Sequence, residues 1–183
     1  MHIKRTLLAL VLVTALLITG CYSPGKVSDG VYSNNYFKVT TPEQFTCFTG
    51  QEVEKSSSYY FLYALSESRG TNKSFKCEYA ADAGTADMLV CSEENPGKMS
   101  MDEFAARITK QMEGCILLYS ENENKDVVID GLTFRKLTYS TFGCMSYYFI
   151  REQGGNFIYL YVNVLDNDFI DAGPAALDSI THA

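Results

Sequence analysis

The segment Asn156–Leu165, NFIYLYVNVL, constrains this chain more than any other. In an extended strand, successive side chains point to opposite faces of the sheet. Here Ile158, Leu160, Val162 and Val164 fall on one face, and Phe157, Tyr159 and Tyr161 on the other. A strand that is apolar on both faces has to be covered on both. The chain must therefore build a sheet with one layer above it and another beneath. Its 183 residues leave room for one such domain and a small appendage, not for two full domains. A composition of 46% hydrophobic and 20% charged residues suits a packed core rather than a disordered chain.

The remaining patterns predict what surrounds that strand. Cys144–Arg151 forms a hairpin with it across the turn Gly154-Gly155. Val31–Phe37 forms a second hairpin around Asn34-Asn35, running on as a strand to Pro42. Pro42–Ser58 is polar with little period and leaves room for a short helix. Tyr59–Leu65, YYFLYAL, is apolar throughout and rich in aromatics, which predicts another interior strand, followed by a loop over Ser66–Ser74. Short strands follow at Phe75–Tyr79 and Asp87–Ser92, separated by a small-residue turn. Ser100 and Glu103 are spaced as a capping box, opening a helix with Phe104, Ile108 and Met112 as its apolar stripe and Gly114 at its end. Cys115–Ser120 reads as a strand and Glu121–Asp126 as an acidic loop. Val127–Tyr139 reads as a long strand interrupted at Asp130-Gly131. Asp168–Ile180 reads as a closing helix, with Pro174 near its middle. The expected architecture is α+β: a mostly antiparallel sheet of six or so strands with helices on both faces, forming a single domain over residues 31–183.

The N-terminus carries an address. Lys4 and Arg5 precede an apolar run from Thr6 to Ile18, which ends in Leu17-Ile18-Thr19-Gly20-Cys21. The run is shorter than the ~20 apolar residues a bilayer-spanning helix needs, and it has the form of a signal-peptide core. Its end resembles the bacterial lipobox, in which the cysteine thiol takes a diacylglyceryl group and the signal is cut just before it. That resemblance implies residues 1–20 as the signal, Cys21 as the lipidated residue, and an extracytoplasmic domain held to the bilayer by its acyl chains. Residues 21–30 are small, polar and turn-rich, and read as a short tether.

The order of elements also has a likeness. It comprises the opening hairpin YSNNYF (Tyr32–Phe37), the mid-chain helix around Met101-Asp102-Glu103-Phe104, the IDGLTFRKL run (Ile129–Leu137), the final aromatic hairpin, and the terminal Leu177-Asp178-Ser179-Ile180. Over about residues 30–181 this is similar to the small PsbP-like lipoproteins (the PsbP/Mog type) of Gram-positive, clostridial-type bacteria. The resemblance implies an α/β/α sandwich. Characterised relatives of that fold are adaptors, a photosystem II extrinsic subunit and a Ran-GTPase-binding factor, so it implies a binding role.

The chemistry-bearing residues are few. Only His2 and His182 exist, which leaves no histidine base beside a Ser or Cys nucleophile, and no G-x-S-x-G elbow is present. A net charge of -7 argues against a nucleic-acid partner. Besides Cys21 there are Cys47, Cys77, Cys91, Cys115 and Cys144. Outside the cytoplasm disulfides are expected, yet an odd number leaves at least one thiol over, and the sequence does not set the pairing. Buried strand thiols acting as small hydrophobes are the other reading. No C-x-x-C spacing suggests a zinc or redox motif, and no cofactor is expected. Glu93-Glu94 and Asp102-Glu103 read as solvated charges rather than an acid–base pair. Asp166-Asn167-Asp168 with Asp171 reads as a helix cap rather than a calcium loop. That leaves the tyrosines. Tyr59, Tyr60, Tyr63, Tyr147, Tyr148, Tyr159 and Tyr161 lie on strands expected to neighbour one another; Tyr59, Tyr63, Tyr147, Tyr159 and Tyr161 could present a surface that stacks on a partner or a glycan, the other reading being that the rings fill the sheet–helix interface. The expectation is a non-enzymatic, lipid-anchored envelope protein that binds another envelope protein. The alternative is a glycan or small-molecule binding module.

Overall fold

A computed structural model describes residues 25–71, 73–115, 120–141, 143–164 and 180–182. The predicted interior strand is central. β10 (Asn156–Val164) is paired antiparallel on one side with β6 (Ala86–Glu94) and on the other with β9 (Cys144–Gln153). β5 (Lys76–Asp82) and β4 (Thr46–Thr49) extend the sheet beyond β6. β8 (Leu132–Thr141) and β7 (Ser120–Ile129) extend it beyond β9. The result is a seven-stranded antiparallel sheet in the order β4-β5-β6-β10-β9-β8-β7, one strand more than expected.

Its two faces are covered differently. On one lie the 3-10 turn Gly50–Lys55 and two helices, α1 (Tyr59–Arg69) and α2 (Met101–Cys115), which bury Leu62, Leu65, Phe104, Ile108 and Met112 against Leu89, Leu137, Ile150 and Phe157. Phe104 stacks on Phe157 with ring centroids 3.9 Å apart. The other face carries no described helix. A second sheet covers it, in the order β1 (Lys26–Ser28), β2 (Val31–Ser33), β3 (Phe37–Thr40) and β11 (Ile180–His182). Tyr32, Phe37 and Val39 of that sheet pack onto Tyr79, Phe134, Phe149 and Leu160. The expectation of helices on both faces is thus corrected among the described residues: a small sheet provides the second layer. The predicted closing helix lies outside the described residues except for Ile180, which is in β11.

Five further differences have local causes. YYFLYAL is helical. Leu62 and Leu65 repeat at helical spacing into the core, and Gly70 closes the helix in the left-handed region (φ 76°). The β preference of tyrosine is a weak prior that this packing overrides. Cys115 ends α2 instead of starting a strand. The acidic loop is part of edge strand β7, where one face of the sheet can carry charge. There Lys125 (2.6 Å) and Lys136 hydrogen-bond to Glu123 and hold its carboxyl down at about 2. The break at Asp130-Gly131 (φ 46° and 77°) is a hairpin turn joining β7 to β8. Finally, the expected tether contributes to the fold, because β1 pairs with β2 and the Gly25 N–H donates to Glu78 Oε2 (2.8 Å).

Other expectations hold at atomic detail. Asn34 Oδ1 accepts the N–H groups of Tyr36 and Phe37, both at 2.9 Å, forming the β2–β3 turn. At the head of α2, Ser100 Oγ accepts from the Glu103 N–H (3.2 Å), while Glu103 Oε2 accepts from the Ser100 N–H (2.8 Å).

Candidate functional site

The alternation along β6 turns Asp87, Leu89, Cys91 and Glu93 toward the helical layer. Two of these are carboxylates, at most 1% exposed. Glu93, expected among solvated charges, is instead wholly buried, whereas Glu94 is exposed. The two acids anchor the two ends of α1. At its start, Asp87 accepts from the Ser58 N–H (2.8 Å), Ser58 Oγ (2.9 Å) and Ser56 Oγ (3.0 Å). A carboxylate there also meets the positive end of the helix dipole. Burial raises the Asp87 pKa, and the serine hydrogen bonds pull it partly back. At the far end, Glu93 accepts from Arg69 Nε (3.2 Å), Arg69 Nη2, Thr71 Oγ1 and Tyr159 OH (2.7 Å). The spans match. Eleven helical residues extend about 17 Å, and the six-residue step from Asp87 to Glu93 about 20 Å.

A helix held this way presents its other face. Tyr59, Tyr60 and Tyr63 project from it, and Tyr59 and Tyr63 meet Phe75, which precedes β5. The Tyr59 ring lies edge-on to Tyr60 (5.2 Å), stacked with Tyr63 (6.5 Å) and edge-on to Phe75 (6.1 Å). Tyr60 is 62% exposed and Tyr63 37%, in a chain whose other described tyrosines and phenylalanines are mostly buried. Acidic groups flank the patch: Tyr60 OH donates to Glu54 Oε2 (3.4 Å), and Glu67 is exposed on the same helix. Burial and then the Glu54 charge raise the Tyr59 pKa.

A cleft of about 300 Å³ opens at the N-terminal end of α1, walled by Ser57, Ser58, Phe61, Ser146, Tyr161 and Asn163. Ser146 Oγ donates to Asn163 Oδ1 (3.0 Å) and so receives the Tyr161 hydroxyl (3.1 Å). The cleft therefore offers hydroxyl and amide groups beside one aromatic wall. A second cleft, of about 380 Å³, lies between the helices at Ser68, Arg69, Arg107, Lys110 and Gln111. Its innermost cation, Arg69, is committed to Glu93.

The five expected tyrosines do not form one surface. Tyr59 and Tyr63 belong to the helix patch, while Tyr147, Tyr159 and Tyr161 are at most 6% exposed. Tyr147 faces the small-sheet layer, and Tyr159 and Tyr161 face the helices. Burial holds the hydroxyl pKa values of Tyr159 and Tyr161 well above the ordinary range. Alternation scatters the set: Tyr147 on β9 has the opposite parity to Tyr159 and Tyr161 on the neighbouring β10. Phe75 and Asp87 are not among the residues the sequence points to, and Glu93 reads there as a solvated charge. The run Ser56-Ser57-Ser58 before an aromatic segment was the available signal of a helix start, although the Ser58 hydroxyl bonds Asp87 and not the helix backbone. Cys47, Cys77, Cys91 and Cys144 are thiols. Cys91 is buried, Cys77 and Cys144 are half-buried, and Cys47 is exposed. Cys115 closes α2, and Cys21 lies outside the described residues. Among the described residues no group of His, Cys, Asp or Glu is arranged to hold a metal ion, and no helix is long and apolar enough to cross a membrane.

The antiparallel sheet and its helical layer define a PsbP-like α/β fold. The solution structure of cyanobacterial PsbP (CyanoP) from Synechocystis sp. PCC 6803 is similar, with a TM-score of 0.52 and 12% identity over 88% of this chain and 98% of that one. At that identity the likeness is one of fold. No protein-family model matches the sequence, and no curated protein matches it.

Proposed function

We propose that this chain is a lipid-anchored, extracytoplasmic lipoprotein of the Gram-positive, clostridial type, whose PsbP-like domain is a non-catalytic adaptor for another envelope protein. The observation that carries the binding role is the aromatic face of α1, where Tyr60 and Tyr63 reach solvent from a helix fixed at both ends. Tyrosine combines a large apolar ring with a polar tip and is enriched at binding hot spots. Glu54 and Glu67 beside the patch favour a partner whose contact surface is apolar with a basic rim. The anchor rests on the lipobox ending at Cys21.

Capture from detergent-solubilised envelope tests the adaptor role. A stoichiometric protein partner, lost with Tyr60→Ala/Tyr63→Ala while the unfolding curve stays put, is the expected result. Repeated recovery of the protein alone overturns it. For the anchor, Cys21→Ala is expected to lose the acyl mass and release the protein into the medium. A second reading, glycan or small-molecule binding, is favoured by the cleft at Tyr161 alone. It predicts glycan-array signals abolished by Tyr161→Phe and indifferent to changes at Tyr60.

A further inference from the structure

Beneath the aromatic patch two thiols face each other. Cys77 on β5 and Cys91 on β6 are directly opposite in the antiparallel register. The bulge that follows places Glu78 and Tyr79 together on the small-sheet side, where Tyr32 hydrogen-bonds to one and stacks on the other. Cys77 thereby keeps the parity that points it, with Cys91, into the helical layer. Cys77 Sγ donates to the Tyr79 carbonyl (3.4 Å), and burial first, then the neighbouring Cys77 thiol, pushes the Cys91 thiol pKa up. Opposed residues of an antiparallel pair have Cβ atoms ~4.5–5.5 Å apart, close to the ~3.5–4.5 Å of a disulfide, so a small approach closes the bond. The other described thiols are placed elsewhere. Cys47 contacts the Tyr79 hydroxyl on the opposite face (3.1 Å), and Cys144 borders the cleft with Ser146, Tyr161 and Asn163 at the N-terminal end of α1.

We propose that Cys77 and Cys91 are a modification site that closes to a cross-strand disulfide by exchange with an external disulfide, either a low-molecular-weight disulfide or a dithiol oxidase. The half-buried Cys77, as thiolate, attacks one sulfur of that disulfide, forming a mixed disulfide and releasing one thiolate. Cys91 gives up its proton and attacks the Cys77 sulfur, expelling the second thiolate. The external disulfide is reduced to two thiols, which take up the two protons, and the protein pair is oxidised. The bond ties β5 to β6 under Tyr59 and Phe75 and so stiffens the floor of the docking face. Its formation in cells rests on the extracytoplasmic reading.

The test uses the full chain in detergent micelles, poised with reduced and oxidised glutathione, quenched in acid, alkylated and mapped by mass spectrometry. The expected result is the paired loss of two alkylatable thiols, with the peptides containing Cys77 and Cys91 linked. Cys77→Ser is expected to abolish that link, and Cys47→Ser and Cys144→Ser to leave it intact. Should Cys77 and Cys91 both stay alkylatable in excess oxidised glutathione, or should the first bond formed join other cysteines, the proposal is overturned. Acid-quenched cells separate the two claims. A linked pair in the membrane fraction supports both, whereas a pair that closes in vitro but is reduced in cells overturns the location and leaves the site standing.

Discussion

Cutting the buried tie between Arg69 and Glu93 tests whether α1 is held as described. Glu93 is fully buried, and the Arg69 side chain is 2% exposed. Glu93→Leu removes the carboxylate and leaves the Arg69 guanidinium with Gln111 Oε1 (2.7 Å) as its remaining hydrogen-bond acceptor in the described network. An uncompensated buried charge costs about 3–5 kcal/mol, a large part of the roughly 5–15 kcal/mol that stabilises a domain of this size. Arg69→Met is expected to cost less, about 2–3 kcal/mol, because Tyr159 and Thr71 still donate to the carboxylate. The double variant carries no buried charge at this place. It should therefore be more stable than the sum of the single changes predicts, with a coupling of at least about 1 kcal/mol. Urea unfolding of the three variants and the parent, followed by far-ultraviolet circular dichroism, measures the cycle. Additivity within about 0.5 kcal/mol would falsify the tie. Because α1 carries Tyr60 and Tyr63, Glu93→Leu should also weaken partner capture, while the double variant recovers part of it.

Three other outcomes are expected. Gly25→Ala should destabilise the small-sheet layer, since a Cβ there would lie 2.3 Å from the Tyr32 ring, which cannot retreat because it stacks on Tyr79 and donates to Glu78; an unchanged melting temperature contradicts this. Tyr148→Phe should be neutral or stabilise by about 1 kcal/mol, because the Tyr148 hydroxyl is buried with no hydrogen-bond partner among the described residues; a loss of stability by denaturant titration refutes that. Asp87 has its carboxyl pKa raised above 3.8 by burial, so the folded state holds a proton that the unfolded chain releases. Its contribution to stability therefore falls as pH rises above 3.8 through the folded value. Stability measured against pH should show this decline relative to Asp87→Asn, and a difference that grows with pH contradicts it.

Much of the fold is legible locally. The doubly apolar pattern of Phe157–Val164 required an interior strand, Gly154-Gly155 and Asn34-Asn35 marked turns, and Ser100 with Glu103 marked a helix start. Each rests on interactions within a few residues, or on the simple need to remove apolar surface from water. The aromatic segment before Arg69 was not legible in this way. Its tyrosines suit a strand, and it becomes a helix because Leu62 and Leu65 find a core and Asp87 and Glu93 tie its ends. Those carboxylates are far from the helix in the chain, so nothing in the segment itself names them. The acidic run of β7 likewise became a strand only because β8 supplies Lys136 opposite Lys125 and beside Glu123. Sequence alone determined the turns, the capped helix and the central strand, because short-range geometry and hydrophobic period suffice for these. Tertiary structure decided which face each tyrosine and cysteine occupies, because strand register and one bulge, set by partners distant in the chain, determine side-chain parity.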